Sequence, residues 1–128
     1  MLKVKIAEKE FEYLDALETE EYYNGSSRRT LTITCGPDAI GLDELNSLLT
    51  EENLKVVTLT NTDVQVEGEE SVQITNVHEG YVLKLSCGIK SVLSQVETPE
   101  TPSIYEDRIV FKLGKRTYIE EQLHKLGL

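Results

Sequence analysis

Two histidines, two cysteines and 23 carboxylates are the groups with which this chain could do chemistry. A general base needs a nucleophile within hydrogen-bond reach and a third group to orient it. His78 stands in the stretch His78-Glu79-Gly80, which reads as a turn, and no partner for it is visible nearby. His124 falls in the last turn of a terminal helical pattern, where an imidazolium meets the negative end of the helix dipole. Neither a nucleophile elbow nor a glycine-rich phosphate loop is present. The carboxylates recur as adjacent pairs, Glu51-Glu52, Glu69-Glu70, Glu106-Asp107 and Glu120-Glu121. Neighbours on a strand point to opposite faces, so such pairs make poor acid–base dyads. Glu67-Gly68-Glu69-Glu70 lacks the spaced oxygen ligands of a calcium loop. Cys35 and Cys87 each precede a glycine inside an apolar alternation and have no CxxC partner, so a zinc site is unsupported. They read as buried free thiols, and sequence leaves open whether they face each other. The expectation is a protein that is not an enzyme and takes no metal or cofactor; a small hydrolase would lack a nameable nucleophile.

Size and charge bound the remaining classes. The 128 residues fit one domain, 1–128, because halves of this length would build poor cores. Apolar residues make up 39% and tryptophan is absent, so Leu, Val and Ile must supply most of the core. The net charge is −10: −7 over residues 1–64 (6 basic, 13 acidic) and −3 over 65–128 (7 basic, 10 acidic). That balance disfavours a nucleic-acid partner, since binding a phosphate backbone relies on Lys and Arg. Met1-Leu2-Lys3-Val4-Lys5-Ile6 carries no apolar run of signal-peptide length, and no stretch reaches the ~20 apolar residues of a membrane span. The expectation is a soluble chain made in the cytoplasm, without a membrane partner.

The elements that must position these groups are mostly strands. Leu2, Val4 and Ile6 alternate with Lys3 and Lys5; Phe11 and Tyr13 suggest a second short strand. Residues 14–23 are acidic, with no clean stripe, and read as irregular. After the turn signal Asn24-Gly25-Ser26-Ser27, residues Leu31, Ile33 and Cys35 alternate with threonines until Gly36-Pro37 ends the run. Leu42, Leu45, Leu48 and Leu49 predict a helix near 42–50. Strands follow over 55–61 and at Val72 and Ile74, separated by an acidic hairpin or loop at 64–70. Tyr81, Leu83, Leu85 and Cys87 form a long strand, Ile89–Val96 another, and Ile109, Phe111 and Leu113 the last. Thr117 and Glu120 have capping-box spacing and open a C-terminal helix with Ile119, Leu123 and Leu126 as its apolar stripe. Together these predict an α+β, mainly β fold: a twisted antiparallel sheet curled into a sandwich or partial barrel, with a short helix near 42–50 and a C-terminal helix.

Two features point to an interaction surface. Arg28-Arg29 is a basic pair in the acidic first half, and Arg108, Lys112, Lys115 and Arg116 concentrate positive charge near the C-terminus. Opposite charges on one molecule guide docking between subunits. The loop Thr98-Pro99-Glu100-Thr101-Pro102-Ser103 has two prolines and no large apolar residue, and its length suits a flexible excursion or a docking arm. The candidate interaction residues are Arg28, Arg29, Pro99, Pro102, Tyr105 and Arg108.

Three segments carry a resemblance: residues 23–31 (YNGSSRRTL), 42–49 (LDELNSLL) and 105–114 (YEDRIVFKLG). In these the chain resembles small tail- or baseplate-associated proteins of bacteriophages and prophages of Gram-positive bacteria. The motifs are structural and degenerate, and no catalytic residue transfers from them. The resemblance implies a β-sandwich or barrel flanked by a helix. It implies a non-enzymatic virion protein, made in the host bacterial cytoplasm and incorporated into the virion. Its partners would be other tail proteins or itself, as a homo-oligomer. The alternative is an acidic inhibitor that mimics nucleic acid and blocks a basic host protein; its motivation is the net charge and the Glu-rich segments 8–21 and 67–70.

Overall fold

In the computed structural model, residues 1–23, 25–64, 72–95, 98–100 and 102–127 are described. Eight strands form two antiparallel four-stranded sheets. The first sheet holds β1 (Leu2–Ile6), β2 (Lys9–Glu12), β5 (Val56–Val64) and β6 (Val72–Glu79), in the order β2-β1-β5-β6. The second holds β3 (Asp15–Tyr23), β4 (Ser26–Cys35), β7 (Leu83–Gln95) and β8 (Ile104–Gly114), in the order β3-β4-β8-β7.

The period of two that marks these strands in sequence becomes one shared core. Val4, Ile6, Phe11, Val57 and Leu59 come from the first sheet; Leu31, Ile33, Cys35, Ile109, Phe111 and Leu113 come from the second. The β4–β8 register sets Leu31 beside Leu113, Ile33 beside Phe111 and Cys35 beside Ile109, so two central strands present six apolar side chains to one side. The rings of Phe11 and Phe111 meet across the sheets, centroids 6.3 Å apart. The result is a sandwich, with no closed barrel.

The crossover from β4 to β5 carries α1 (Leu42–Leu48) and α2 (Glu51–Leu54), which bury Leu45, Leu49 and Leu54 in the core. Asp43 and Glu44 sit in the first turn of α1, favourable for the helix dipole, and Thr50 caps α2 by accepting from the Asn53 amide at 3.3 Å. Lys9 of β2 reaches Glu44 of α1 at 3.0 Å, while α2 packs near β7. The helices therefore close the side of the sandwich between β2 and β7. Among the described residues no helix covers the other side, between β3 and β6.

The structure corrects several expectations. Residues 14–23, expected to be irregular, form β3, an edge strand whose carboxylates tolerate solvent on both faces while its backbone pairs with β4 from Asp15–Thr34 to Tyr23–Ser26. The two strands expected over 81–96 are one, β7, bent by an irregularity between Lys84 and Ser86. His78 and Glu79 belong to β6, and the turn is made at Gly80, whose φ of 83° suits glycine. The acidic loop near 64–70 lies largely outside the described residues, as does Thr101 of the proline loop. The C-terminal helix forms as α3 (Tyr118–Lys125) with its capping box, yet Ile119, Leu123 and Leu126 face solvent.

Cys35 and Cys87 are free. They lie on β4 and β7, with β8 between, so two strand spacings of about 5 Å each hold the backbones too far apart for a disulfide. Burial pushes the Cys35 thiol up to about 12 and raises Cys87 as well, leaving both weak nucleophiles. Thiol titration of the native and denatured chain should find Cys35 unreactive until unfolding. Phe111→Ala should cost about 3–5 kcal/mol of stability in urea unfolding, because it empties the centre of the inter-sheet contact.

Candidate interaction surface

Beyond Ile109 the β7–β8 hairpin leaves the sandwich. The register runs on through Ile89–Ile109, Leu93–Tyr105 and Gln95–Ile104, and large apolar side chains along it are exposed. Ile89 is 55% exposed, Leu93 48%, Ile104 42% and Tyr105 63%. Ile89, Leu93 and Tyr105 continue the face that carries Phe111 inside the core, so an apolar strip passes from the interior into solvent. Pro99 and Pro102 are exposed in the connection at the hairpin tip. Arg108, on the opposite face from Ile109, bonds Glu106 and the Asp107 carbonyl beside it. Pro99, Pro102, Tyr105 and Arg108 thus all lie on this arm.

Arg28 and Arg29 do not. Arg28 is buried, its side chain 1% exposed. Its guanidinium donates to both carboxylate oxygens of Glu120 at 2.6 and 3.2 Å, to the Lys115 carbonyl at 3.2 Å and to the Tyr23 carbonyl at 3.0 Å. Glu120 also closes the capping box, its carboxylate accepting from the Thr117 amide at 2.8 Å while Thr117 Oγ1 accepts from the Glu120 amide at 3.3 Å. One carboxylate therefore both starts α3 and anchors it to β4. The Arg28 hydrogen bond, then the Thr117 amide, hold it down to about 2. Arg116 fixes the other flank of α3, at 2.8 Å from Glu51 of α2 and 3.5 Å from Glu121. The capping box was legible in sequence; the buried arginine on a strand 92 residues away was not.

Arg29 stays half-exposed and reaches Glu18 at 3.3 Å. Glu18 gathers three partners at the open side of the sandwich: Tyr81 donates its hydroxyl at 2.8 Å, His78 Nδ1 lies at 3.2 Å, and Arg29 completes the set. The Tyr81 hydrogen bond lowers the Glu18 carboxyl most, while burial and then Glu18 push the Tyr81 hydroxyl up to about 12. The contact ties the edge strands β3 and β6 together. Next to it lies an open cleft of about 480 Å³, floored by Leu31 and Leu59 and walled by Ala16, Leu17, Asn76 and His78. At the rim of this cleft Glu18 and His78 are engaged with each other. Among the described residues no group of three or more His, Cys, Asp or Glu is placed to hold a metal ion. No helix among them is long and apolar enough to cross a membrane. Searches of family models, curated proteins and solved structures return no match to the chain.

Glu120→Gln removes the charge from the Arg28 anchor and should cost about 1–2 kcal/mol at neutral pH. The Glu120 carboxyl titrates near 4.5 when free and near 2 when folded. Its contribution is therefore complete above about pH 4.5 and fades as the pH falls toward 2. Urea midpoints of wild type and variant should converge over that interval.

Proposed function

We propose that the chain is a non-enzymatic structural protein of a phage or prophage tail or baseplate, acting through protein–protein contacts. The observation that carries the contact role is the β7–β8 arm, which exposes Ile89, Leu93, Ile104 and Tyr105 at the end of its ladder. Exposed aromatic and aliphatic side chains on a preformed element bind at little ordering cost. The virion assignment is supported by the resemblance over residues 23–31, 42–49 and 105–114. The acidic-mimic alternative gains less: Glu18 and Glu21, in the middle of the acidic strand, are neutralised within the chain by Arg29 and Lys112.

Mass spectrometry of gradient-purified particles, from cells expressing the chain at its own locus, should find it in fixed ratio to tail proteins. Absence from particles while abundant in the lysate overturns the virion assignment. Leu93→Lys with Tyr105→Lys, both exposed, should leave the unfolding midpoint unchanged and reduce incorporation at least tenfold, the equivalent of about 1.4 kcal/mol. Wild-type incorporation of that variant removes the arm as the contact.

A further inference from the structure

We propose that the β3–β4–β8–β7 sheet is extended by a second copy of this chain, whose β7 edge pairs antiparallel with the β3 edge of the first. In this register Asp15 lies opposite Lys90, and Glu20 opposite Lys84. The proposal goes beyond the contact role argued above: it uses the β3 and β7 edges, and Leu93, Ile104 and Tyr105 of the arm take no part in it.

Strand polarity comes first. In the order β3-β4-β8-β7 every neighbour is antiparallel, so the two edge strands also run in opposite directions. A neighbouring copy in the same orientation therefore continues the antiparallel pattern. The ladder parity also fits. The Arg29 carbonyl accepts from the Lys115 amide across β4–β8, so the backbone groups of Arg28, Thr30 and Thr32 turn to β3, and alternation leaves the amides and carbonyls of Ala16, Glu18 and Glu20 at the free edge. On the other side Lys115 donates its amide to the Arg29 carbonyl at 3.0 Å. Counting from there across β8 turns the backbone groups of Cys87, Ile89 and Ser91 outward. Joining Ala16 to Ile89 and Glu18 to Cys87 matches donor rows to acceptor rows.

Charge then selects this register from those that parity allows. β3 carries Asp15, Glu18, Glu20 and Glu21 and no base; β7 carries Lys84 and Lys90 and no acid. Glu18 and Glu21 already have cationic partners in their own chain. Asp15, Glu20, Lys84 and Lys90 form no salt bridge with another described residue. With Ala16 against Ile89, Asp15 meets Lys90. The irregularity at Leu85, which sets Lys84 and Ser86 on consecutive β8 partners, then brings Lys84 opposite Glu20 on the same face. A shift by two residues in either direction leaves Lys90 opposite Tyr13 or Leu17.

Shape agrees as well. Ile89 enters the face where Ala16 borders the 480 Å³ cleft. On the other face Leu17, 56% exposed, meets Gly88, where a Cβ would have nothing within 4 Å. Because the two edges differ, the contact is head-to-tail, and each copy has one edge of each kind to offer.

The test uses the purified chain alone, so its outcome is independent of particle incorporation. Light scattering after size exclusion, up to about millimolar concentration, should give a mass at least twofold above the 14.5 kDa monomer. Asp15→Lys with Glu20→Lys, and separately Lys84→Glu with Lys90→Glu, should each remain monomeric. Mixing the two variants should restore association, since each then offers the other a complementary edge, and a misfolded variant could not do so. Leu17→Cys with Gly88→Cys in a Cys87→Ser background should form intermolecular disulfides on mild oxidation. A wild-type monomer throughout, self-association of either variant, or failure of the mixture to associate overturns the pairing. Association in a protein absent from particles would uphold it and defeat the virion reading.

Discussion

The β4–β8 ladder is the constraint on which the rest of this fold depends. Its residues are more than 70 positions apart in sequence, yet it supplies Leu31, Ile33, Cys35, Ile109, Phe111 and Leu113 to one face. A slip of one residue in either strand would turn its three core side chains toward solvent and bring threonines or Lys112 inward. Both hairpins of the sheet hang from it: β3 on one side, β7 on the other. So does α3, because Arg28 stands on β4, opposite the chain that leaves β8. Non-local contacts of this kind are costly to nucleate, since the intervening loop must close before any apolar area is buried.

How much of this was legible follows from the same physics. β1, β4 and β8 bury one face and show the other, so their alternation is visible one residue at a time. α1 and the capping box of α3 are local devices and were equally plain. β3 was missed because an edge strand with little apolar burial has no reason to alternate; its pairing is dictated by β4, not by its own side chains. His78 looked partnerless for a similar reason: Glu18 is 60 residues away and comes near only when the two sheets stack. Arg28 was misplaced on the surface. Charge normally means exposure, and only the combination of Glu120 with the carbonyls of Tyr23 and Lys115 makes its burial tolerable.

α3 shows how far a helix can be held by polar contacts alone. Its apolar residues Ile119, Leu123 and Leu126 are exposed, and no residue of it is buried. An eight-residue helix is too short to persist in water on propensity. Its first turn is anchored by Glu120, which satisfies the Thr117 amide and the buried guanidinium together, and in its last turn His124 lies 3.1 Å from Glu51 of α2. The anchored turn supplies the nucleus that isolated helices lack, and the remaining turns propagate from it.

The two edges of the second sheet pose the problem that every open sheet must solve. A row of unpaired amides and carbonyls invites any passing strand, and proteins commonly guard it with charge or a bulge. Here β7 has Lys84, Lys90 and an irregularity at Leu85, whereas β3 has four carboxylates. Guards of one sign on both edges would repel every copy. Guards of opposite sign admit one pairing and reject edge-to-like-edge contacts, so the same residues that prevent indiscriminate aggregation direct a single association. Strand polarity adds a consequence. Copies joined in this way keep one orientation, and the β7–β8 arms would then project from the same side of the assembly. Lateral joining takes up Ile89 but leaves Leu93, Ile104 and Tyr105, farther out on the arm, uncovered for contacts of their own.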